Sequence, residues 1–293
     1  MGWVAGAESL AKMILKWNNV VVRLFSEETM LDRDIMTAQD DSLHSDPILE
    51  RLPADLVNGL QLSSSNCARI DRGRSIITDG QPITSVFLIS EGWAISRLSI
   101  KTGDTQILDI LGPGSFVGLS RLKNTGLDGY SGIALQNLKA YRIDINALRS
   151  LCSEDERLSR WLNDTLAGQM QRAQRHITAL GQLPARGRLA FVMLRILDVA
   201  QQTGQSVVGE TINLPMTQEE IGNMLGLTNV SISKMMSAFR SEGLIEYGRN
   251  RIVIRDVDGL TDICGMEMED IRAINPFVDF GGGDRGSTIK SVI

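Results

Sequence analysis

Metal-ligating side chains are scarce in this chain of 293 residues, which contains three cysteines and two histidines. The cysteines, Cys67, Cys152 and Cys264, lie far apart, and no two of them have the Cys-x-x-Cys spacing of zinc sites and iron–sulfur clusters. The histidines, His44 and His176, are too few for an all-histidine metal centre. The sequence therefore predicts no metal site and no cofactor, and we interpret the thiols as those of a protein in a reducing compartment.

Catalytic motifs and long apolar runs are also absent from the sequence. It contains no nucleophile elbow, P-loop or dinucleotide fingerprint, and the pair Gly112-x-Gly114 is not followed by a third glycine or a helical pattern. No run reaches the roughly 18 apolar residues of a membrane span, and the N-terminal stretch lacks the organisation of a secretory signal. We therefore expect a cytoplasmic protein without catalytic residues or a membrane partner, and not an enzyme.

The periodicity of apolar residues changes along the chain. Residues 47–62 have helical spacing, whereas residues 69–144 form short runs of β-forming residues separated by glycine-containing turns such as Asp79-Gly80 and Glu91-Gly92. Many short strands at this spacing are typical of an all-β barrel or roll. The helical pattern then returns, with an N-cap predicted at Ser153.

A single apolar stripe runs along the long helix predicted after Ser153. Glu156 stands at the capping-box position of that helix. A stripe of this kind must be buried, either against its own domain or against the same helix of a second chain, and we favour the second chain. The residues predicted to form this dimerisation stripe are Leu158, Leu162, Leu166, Met170, Ala173, Ile177 and Leu180.

The strongest local signal is a pair of short helices joined by a tight turn. Thr217 and Glu220 form a capping box, Gly226 ends the first helix, and Thr228 begins a second helix that reaches Ser241. Two helices at this separation predict a helix-turn-helix. Another helix, over about 185–202, is predicted to precede the helix-turn-helix.

A two-stranded wing is predicted to follow the helix-turn-helix, and the surrounding charge is basic. Residues 227–255 contain five lysines or arginines and two glutamates, although the whole chain has a net charge of −5. A local basic patch, not the total charge, is what binding to phosphates requires. The residues predicted to contact DNA are Thr217, Gln218, Thr228, Asn229, Val230, Ser231, Ser233, Lys234, Ser237, Arg240, Arg249 and Arg251.

Taken together, residues 47–260 resemble the Crp/Fnr family of bacterial transcription regulators. The stretches that carry the resemblance are Val86–Trp93, Gly103–Gly118 and Leu214–Gly222. The resemblance implies an α+β chain with a double-stranded β-helix (jelly-roll-like) sensor domain, a long dimerisation helix and a C-terminal winged helix-turn-helix. It also implies a homodimer on a roughly palindromic operator, in which the state of the sensor alters the DNA-binding heads.

The chain departs from this family at two places. Members that bind cyclic AMP have a glutamate and an arginine where this chain has Leu119 and Tyr130, which cannot bind the ribose hydroxyl and the cyclic phosphate. We therefore predict that the β-roll does not bind cyclic nucleotides, and its effector stays unknown. Asn229, Val230 and Lys234 also replace residues that many members use to recognise bases, so the operator of the family is not assumed.

These observations predict a transcription factor whose partners are double-stranded operator DNA, a second copy of itself and, if it activates transcription, RNA polymerase. The alternative is an effector-binding or protein-interaction module that has lost DNA binding. The predicted segments are an N-terminal extension (1–45), the β-roll (46–150), the dimerisation helix (153–182), the winged helix-turn-helix domain (183–260) and a flexible tail (261–293).

Overall fold

The computed structural model describes residues 36–37, 46–50, 52, 54–60, 62–80, 84–99, 103–122, 129–202 and 208–272. It divides into two compact units, Met1–Thr37 and Ala38–Ile293. Of the first unit only the short strand β1 (Met36–Thr37) is described, so the predicted N-terminal extension lies mostly outside the described residues. Within the described residues, no helix combines the length and the apolar character that crossing a membrane requires.

The second unit contains a β-roll made of two antiparallel sheets. One sheet has the order β2-β9-β4-β7 and the other the order β3-β8-β5-β6. This confirms the β-roll predicted from the short, turn-separated runs. The strands are β2 (Cys67–Ile70), β3 (Ser75–Ile77), β4 (Ser85–Glu91), β5 (Ala94–Ser99), β6 (Thr105–Leu111), β7 (Phe116–Val117), β8 (Ser131–Ala134) and β9 (Leu138–Asp144).

Glycine is required at the tight turn between β4 and β5. Gly92 has a φ of +94°, and a Cβ atom there would lie 2.9 Å from the carbonyl oxygen of Asn137. Any residue with a Cβ atom at position 92 would therefore cause both backbone strain and a steric clash. The turn predicted at Glu91-Gly92 is confirmed on these grounds.

Helices precede and follow the roll. The predicted helix over 47–62 is instead two short helices, α1 (Pro47–Glu50) and α2 (Ala54–Gly59). After β9 come α3 (Ile145–Glu154), the long α4 (Glu156–Gln182) and α5 (Ala185–Gln202).

The N-cap of the long helix is Asp155, so the predicted N-cap at Ser153 is wrong. Ser153 lies inside α3, where its hydroxyl donates to the carbonyl of Ser150 over 2.7 Å. The backbone at Asp155 is extended, and its carboxylate accepts from the N–H groups of Arg157 and Leu158. Such a side chain satisfies donors that have no partner within the helix.

The C-terminal domain contains a helix-turn-helix and a small sheet of order β10-β12-β11. Its elements are β10 (Thr211–Ile212), α6 (Gln218–Leu225), α7 (Asn229–Ser241), β11 (Ile245–Gly248), β12 (Arg251–Ile254), α8 (Val257–Cys264) and α9 (Met268–Ile271).

The chain does not become irregular at residue 261, where the flexible tail was predicted to begin. Helix α8 crosses that boundary, and α9 follows it. Leu260, Cys264, Met268 and Ile271 are buried in the core shared with α5, which explains why these short helices form. Residues 273–293, the remainder of the predicted tail, lie outside the described residues.

Two hydrophobic cores organise the unit. The first joins α1, α3 and the N-terminal part of α4 to the first sheet, for example through Leu88, Leu148 and Trp161. The second joins the outer face of the other sheet to α5 and the helix-turn-helix, for example through Ile107 and Phe239. The β-roll and the helix-turn-helix therefore share one core.

Candidate nucleic-acid interface

The capping box at the start of the helix-turn-helix is present. Thr217 Oγ1 accepts from the backbone N–H of Glu220 over 3.1 Å, and Glu220 Oε2 accepts from the N–H of Thr217 over 2.6 Å. Helix α6 ends at Gly226 in the left-handed conformation, with a φ of +64°. Both predicted boundaries of this helix are therefore confirmed.

The turn between α6 and α7 depends on a second glycine that sequence reasoning did not single out. The N–H of Leu227 donates to the carbonyl of Gly222 over 3.0 Å, which brings the turn back against α6. A Cβ atom on Gly222 would lie 2.6 Å from the carbonyl oxygen of Leu227. A glycine four residues before the helix-ending glycine was the available signal, because it leaves room for this close approach.

Helix α7 has a buried face and an exposed face. Thr228 is its N-cap, with Oγ1 accepting from the N–H of Ser231 over 3.2 Å, and Ile232, Met236 and Phe239 are buried. Among the residues predicted to contact DNA, Gln218 and Ser231 are half-buried. The others are exposed: Thr217, Thr228, Asn229, Val230, Ser233, Lys234, Ser237, Arg240, Arg249 and Arg251.

The predicted wing is confirmed as the antiparallel pair β11 and β12. Gly248 pairs with Arg251, so Arg249 and Asn250 form a two-residue tip, and Asn250 has a positive φ of 57°. The short strand β10, which was not predicted, pairs with the other side of β12. The wing tip therefore carries an arginine on a two-residue hairpin turn.

The wing and α7 are linked through Tyr247 of β11. The guanidinium carbon of Arg240 lies 5.9 Å from the centroid of the Tyr247 ring, and the Tyr247 hydroxyl lies 3.3 Å from Ser237 Oγ. Ser237 and Arg240 occupy one side of α7 a turn apart, so the tyrosine contacts the same face that was predicted to meet DNA.

All five cations of the basic patch are exposed, and one of them is paired with a carboxylate. Arg255 pairs with Glu246 over 3.0 Å and donates to the carbonyl of Gly209. Within the described part of the chain, no carboxylate forms an ion pair with the remaining four. These are Lys234, Arg240, Arg249 and Arg251.

The apolar stripe predicted along α4 divides into two parts. Leu158 and Leu162 are buried in the core of their own β-roll. Towards the C-terminus of the helix the chain leaves the stripe uncovered: Met170 is 59% exposed and Ile177 is 69% exposed. Ala173 is also exposed, and Leu166 and Leu180 are half-buried. The opposite side of the helix makes the contacts with its own chain, because Arg172, His176 and Ala179 face inwards.

A tyrosine satisfies a backbone donor of the β-roll where the sequence departs from the cyclic-nucleotide pattern. The N–H of Gly118 donates to the Tyr130 hydroxyl over 2.9 Å, and Leu119 is buried in the apolar core next to α4. A Cβ atom on Gly132 would lie 2.7 Å from Val117 Cγ1, so the two sheets approach closely here. A backbone donor that could bind an anion is therefore already satisfied by Tyr130.

Comparison with known proteins gives one consistent result for both domains. A family model described as a Crp-like helix-turn-helix domain matches residues 187–263, and one described as a cyclic nucleotide-binding domain matches residues 68–155. The transcriptional regulatory protein btr of Bordetella pertussis is 26% identical over 216 residues, which cover 74% of this chain and 88% of that protein.

Further relatives and a solved structure agree with this assignment. A CRP-like cAMP-activated global transcriptional regulator of Mycobacterium tuberculosis is 25% identical over 190 residues, covering 64% of this chain and 84% of that protein. The structure of FixK2 from Bradyrhizobium japonicum covers 67% of this chain and 96% of its own, with 23% identity and a TM-score of 0.61, and so shows the same fold. The two matching family models and these relatives show that the chain belongs to the Crp/Fnr family of transcription regulators.

Proposed function

We propose that this regulator acts as a homodimer that binds a roughly palindromic operator in double-stranded DNA, in the cytoplasm where bacterial DNA lies. The observation that carries the proposal is the exposed face of α7 beside the basic wing tip. A helix of this width fits the major groove, and its outer face offers hydrogen-bonding and cationic side chains to base edges and phosphates. If the protein activates transcription, RNA polymerase is a further partner.

The side chains at the start of α7 are suited to contact bases. Asn229 can pair with adenine, and Val230 can contact the methyl group of a thymine. Lys234 and Arg240 can reach guanine or phosphate, and Arg249 and Arg251 on the wing are suited to phosphate contacts. The exposure of all six side chains supports these roles.

The uncovered part of the stripe on α4 supports dimerisation through a second copy of the same helix. Leu166, Met170, Ala173, Ile177 and Leu180 follow one another at steps of four, three, four and three residues. This alternation is the spacing of a two-stranded coiled coil, in which like helices cover each other. A two-fold axis along this seam would present two recognition helices to half-sites about 34 Å apart.

We propose a separate role for each of the segments that were assigned from the sequence. Residues 46–150 would sense a signal, 153–182 would pair the two chains, and 183–260 would bind DNA, with 1–45 and 261–293 as extensions. The contact between Tyr130 and Gly118 supports a sensor that does not take a cyclic nucleotide. The effector, the operator sequence and the sign of regulation are open.

A binding experiment on purified protein tests the proposal. An operator is first selected from a pool of random duplexes, and affinities are then measured at two salt concentrations. Lys234→Ala and Arg240→Ala should each weaken binding, whereas Arg251→Ala should mainly lower the salt dependence, because it removes a phosphate contact. Arg72→Ala, an exposed arginine on the β-roll, is the matched control.

Two results would count against the proposal. If Arg72→Ala weakened binding as much as the substitutions on α7, the predicted interface would be wrong. If the wild-type protein bound no duplex even at low salt, the chain would be an effector-binding or protein-interaction module, an alternative favoured by its net charge of −5.

A further inference from the structure

Strand β6 of the β-roll contacts the end of the first helix of the helix-turn-helix. Gln106 Nε2 donates to the carbonyl oxygen of Met224 over 2.9 Å. His176 Nε2, from the long helix, lies 3.1 Å from the same oxygen. Because the last carbonyls of a helix lack partners within it, these two side chains satisfy a group that α6 leaves open. The β-roll, the long helix and the helix-turn-helix therefore meet at the carbonyl oxygen of Met224.

A second contact of β6, formed by charged side chains, joins it to the long helix and to α5. Asp109 Oδ2 accepts from Arg172 Nε of the long helix over 2.9 Å, and Asp109 Oδ1 lies 3.5 Å from Arg195 Nη2 of α5. Arg195 also pairs with Asp198 one turn along α5 and donates to the carbonyl of Ile110 over 3.5 Å. Two arginines and two aspartates thus form a cluster whose charges balance.

The ionised state of Asp109 depends on its arginine partners. Burial alone would raise the pKa of the Asp109 carboxyl, but Arg195 and Arg172 outweigh burial and hold that pKa below its usual value. Arg195 and Asp198 are themselves almost fully buried. Removing the charge of Asp109 therefore leaves Arg172 and Arg195 short of a partner, and removing one member of a buried ion pair is costly.

The contact leaves the DNA-facing side of α7 uncovered. Asn229, Ser233, Lys234 and Arg240 are all exposed while α6 lies against β6. The contact therefore does not block DNA but fixes the direction of α7 relative to the long helix. In a two-fold assembly the long helix also sets the position of the partner's recognition helix.

We infer that Gln106 and Asp109 are positioning residues, through which the β-roll holds the DNA-binding domain at the angle required to engage both halves of an operator. This inference rests on the proposed dimeric DNA binding. Two DNA-binding domains that are held in place can bind both half-sites together, since little conformational freedom is lost when the second domain binds. Heads released from β6 would still recognise one half-site, because the side chains of α7 are unchanged.

The test compares two duplexes, the selected operator with both half-sites and the same duplex with one half-site scrambled. Fluorescence anisotropy measures the affinity of wild type, Gln106→Ala and Asp109→Asn for each. We expect both variants to lose about tenfold in affinity for the full operator, a part of the gain that two linked contacts provide, and to bind the half-site as wild type does. Asp262→Asn, an exposed carboxylate on α8, is the charge-matched control.

Each other outcome overturns the inference. Equal losses on both duplexes by variants whose circular dichroism and sedimentation match those of the wild type would show that Gln106 and Asp109 do not act by positioning the DNA-binding domain. Gln106→Ala removes only the two side-chain hydrogen bonds to the carbonyls of Ile107 and Met224, at a half-buried site, so it remains informative if Asp109→Asn does not fold. Unchanged or stronger binding to the full operator would show that β6 does not position the heads. Failure of the wild type to bind either duplex would instead reject the proposed function, and the inference with it.

Discussion

The guanidinium group of Arg240 lies over the ring of Tyr247, with 5.9 Å between the guanidinium carbon and the ring centroid. This contact fixes a cationic side chain of α7 against the wing. Replacing Tyr247 with alanine should weaken operator binding by about two- to fivefold, the value of a cation–π contact at an exposed site. Tyr247→Phe keeps the ring and should retain most of the affinity, as measured by anisotropy on the selected operator.

The two tyrosine substitutions control each other, because both remove the hydroxyl that lies near Ser237. Should Phe and Ala weaken binding equally, the hydroxyl and not the ring would be the important group. Should neither have an effect, Arg240 would not depend on Tyr247.

A second prediction concerns the uncovered stripe on the long helix. Ile177→Glu should convert the protein to a monomer, because two carboxylates would face each other across the seam of a paired helix. Thr178→Glu places the same charge one residue away, on an exposed position outside the stripe, and should leave a dimer. Analytical ultracentrifugation of both variants measures the difference, and a dimeric Ile177→Glu protein would contradict the proposed seam.

A third prediction concerns the contact between Tyr130 and Gly118 in the β-roll. Calorimetry should detect no binding of cyclic AMP or cyclic GMP, because Leu119 and Tyr130 cannot bind the ribose hydroxyl and the phosphate, and the N–H of Gly118 is already satisfied. Micromolar binding of either nucleotide would overturn this prediction. Tyr130→Phe, which leaves that N–H without its partner, should lower the free energy of unfolding by about 1–3 kcal/mol.

The fourth prediction follows from the burial of His176. Burial lowers the pKa of this histidine, while the carbonyl of Met224 and the charges of Asp109 and Arg195 modify it less strongly. The unfolded chain therefore takes up a proton at a higher pH than the folded chain, so stability should fall as the pH drops below about 6.5.

Thermal unfolding at pH 7.5 and pH 5.5 measures this effect. The melting temperature of the wild type should fall more steeply than that of His176→Gln, which keeps a donor for Met224 without titrating. The other histidine, His44, is present in both proteins and serves as an internal control. Equal slopes would mean that His176 does not contribute.

Local signals in the sequence were sufficient for most of the DNA-binding domain. The capping box at Thr217, the left-handed Gly226 and the N-cap at Thr228 are decided by interactions within a few residues, and the structure has all three. The wing was predictable for the same reason, since its tip is a two-residue turn. The predicted roles of the exposed side chains in DNA binding stay predictions.

Other features depended on contacts between distant parts of the chain. The apolar stripe of α4 is continuous in the sequence, yet Leu158 and Leu162 pack on their own β-roll while Ile177 is exposed. Helices α8 and α9 have weak patterns of their own and form against α5. The N-cap moved from Ser153 to Asp155 because the preceding helix α3 extends through Glu154.

The sequence by itself determined the class of the protein, because helix caps, turns and the alternation of apolar residues act over short distances. Tertiary structure alone decided which half of the stripe stays uncovered and that β6 lies against α6. It also brought Asp109 together with Arg172 and Arg195, residues far apart in the chain. The physical reason is that burial and ion pairing depend on which surfaces meet, and no local pattern of residues specifies that.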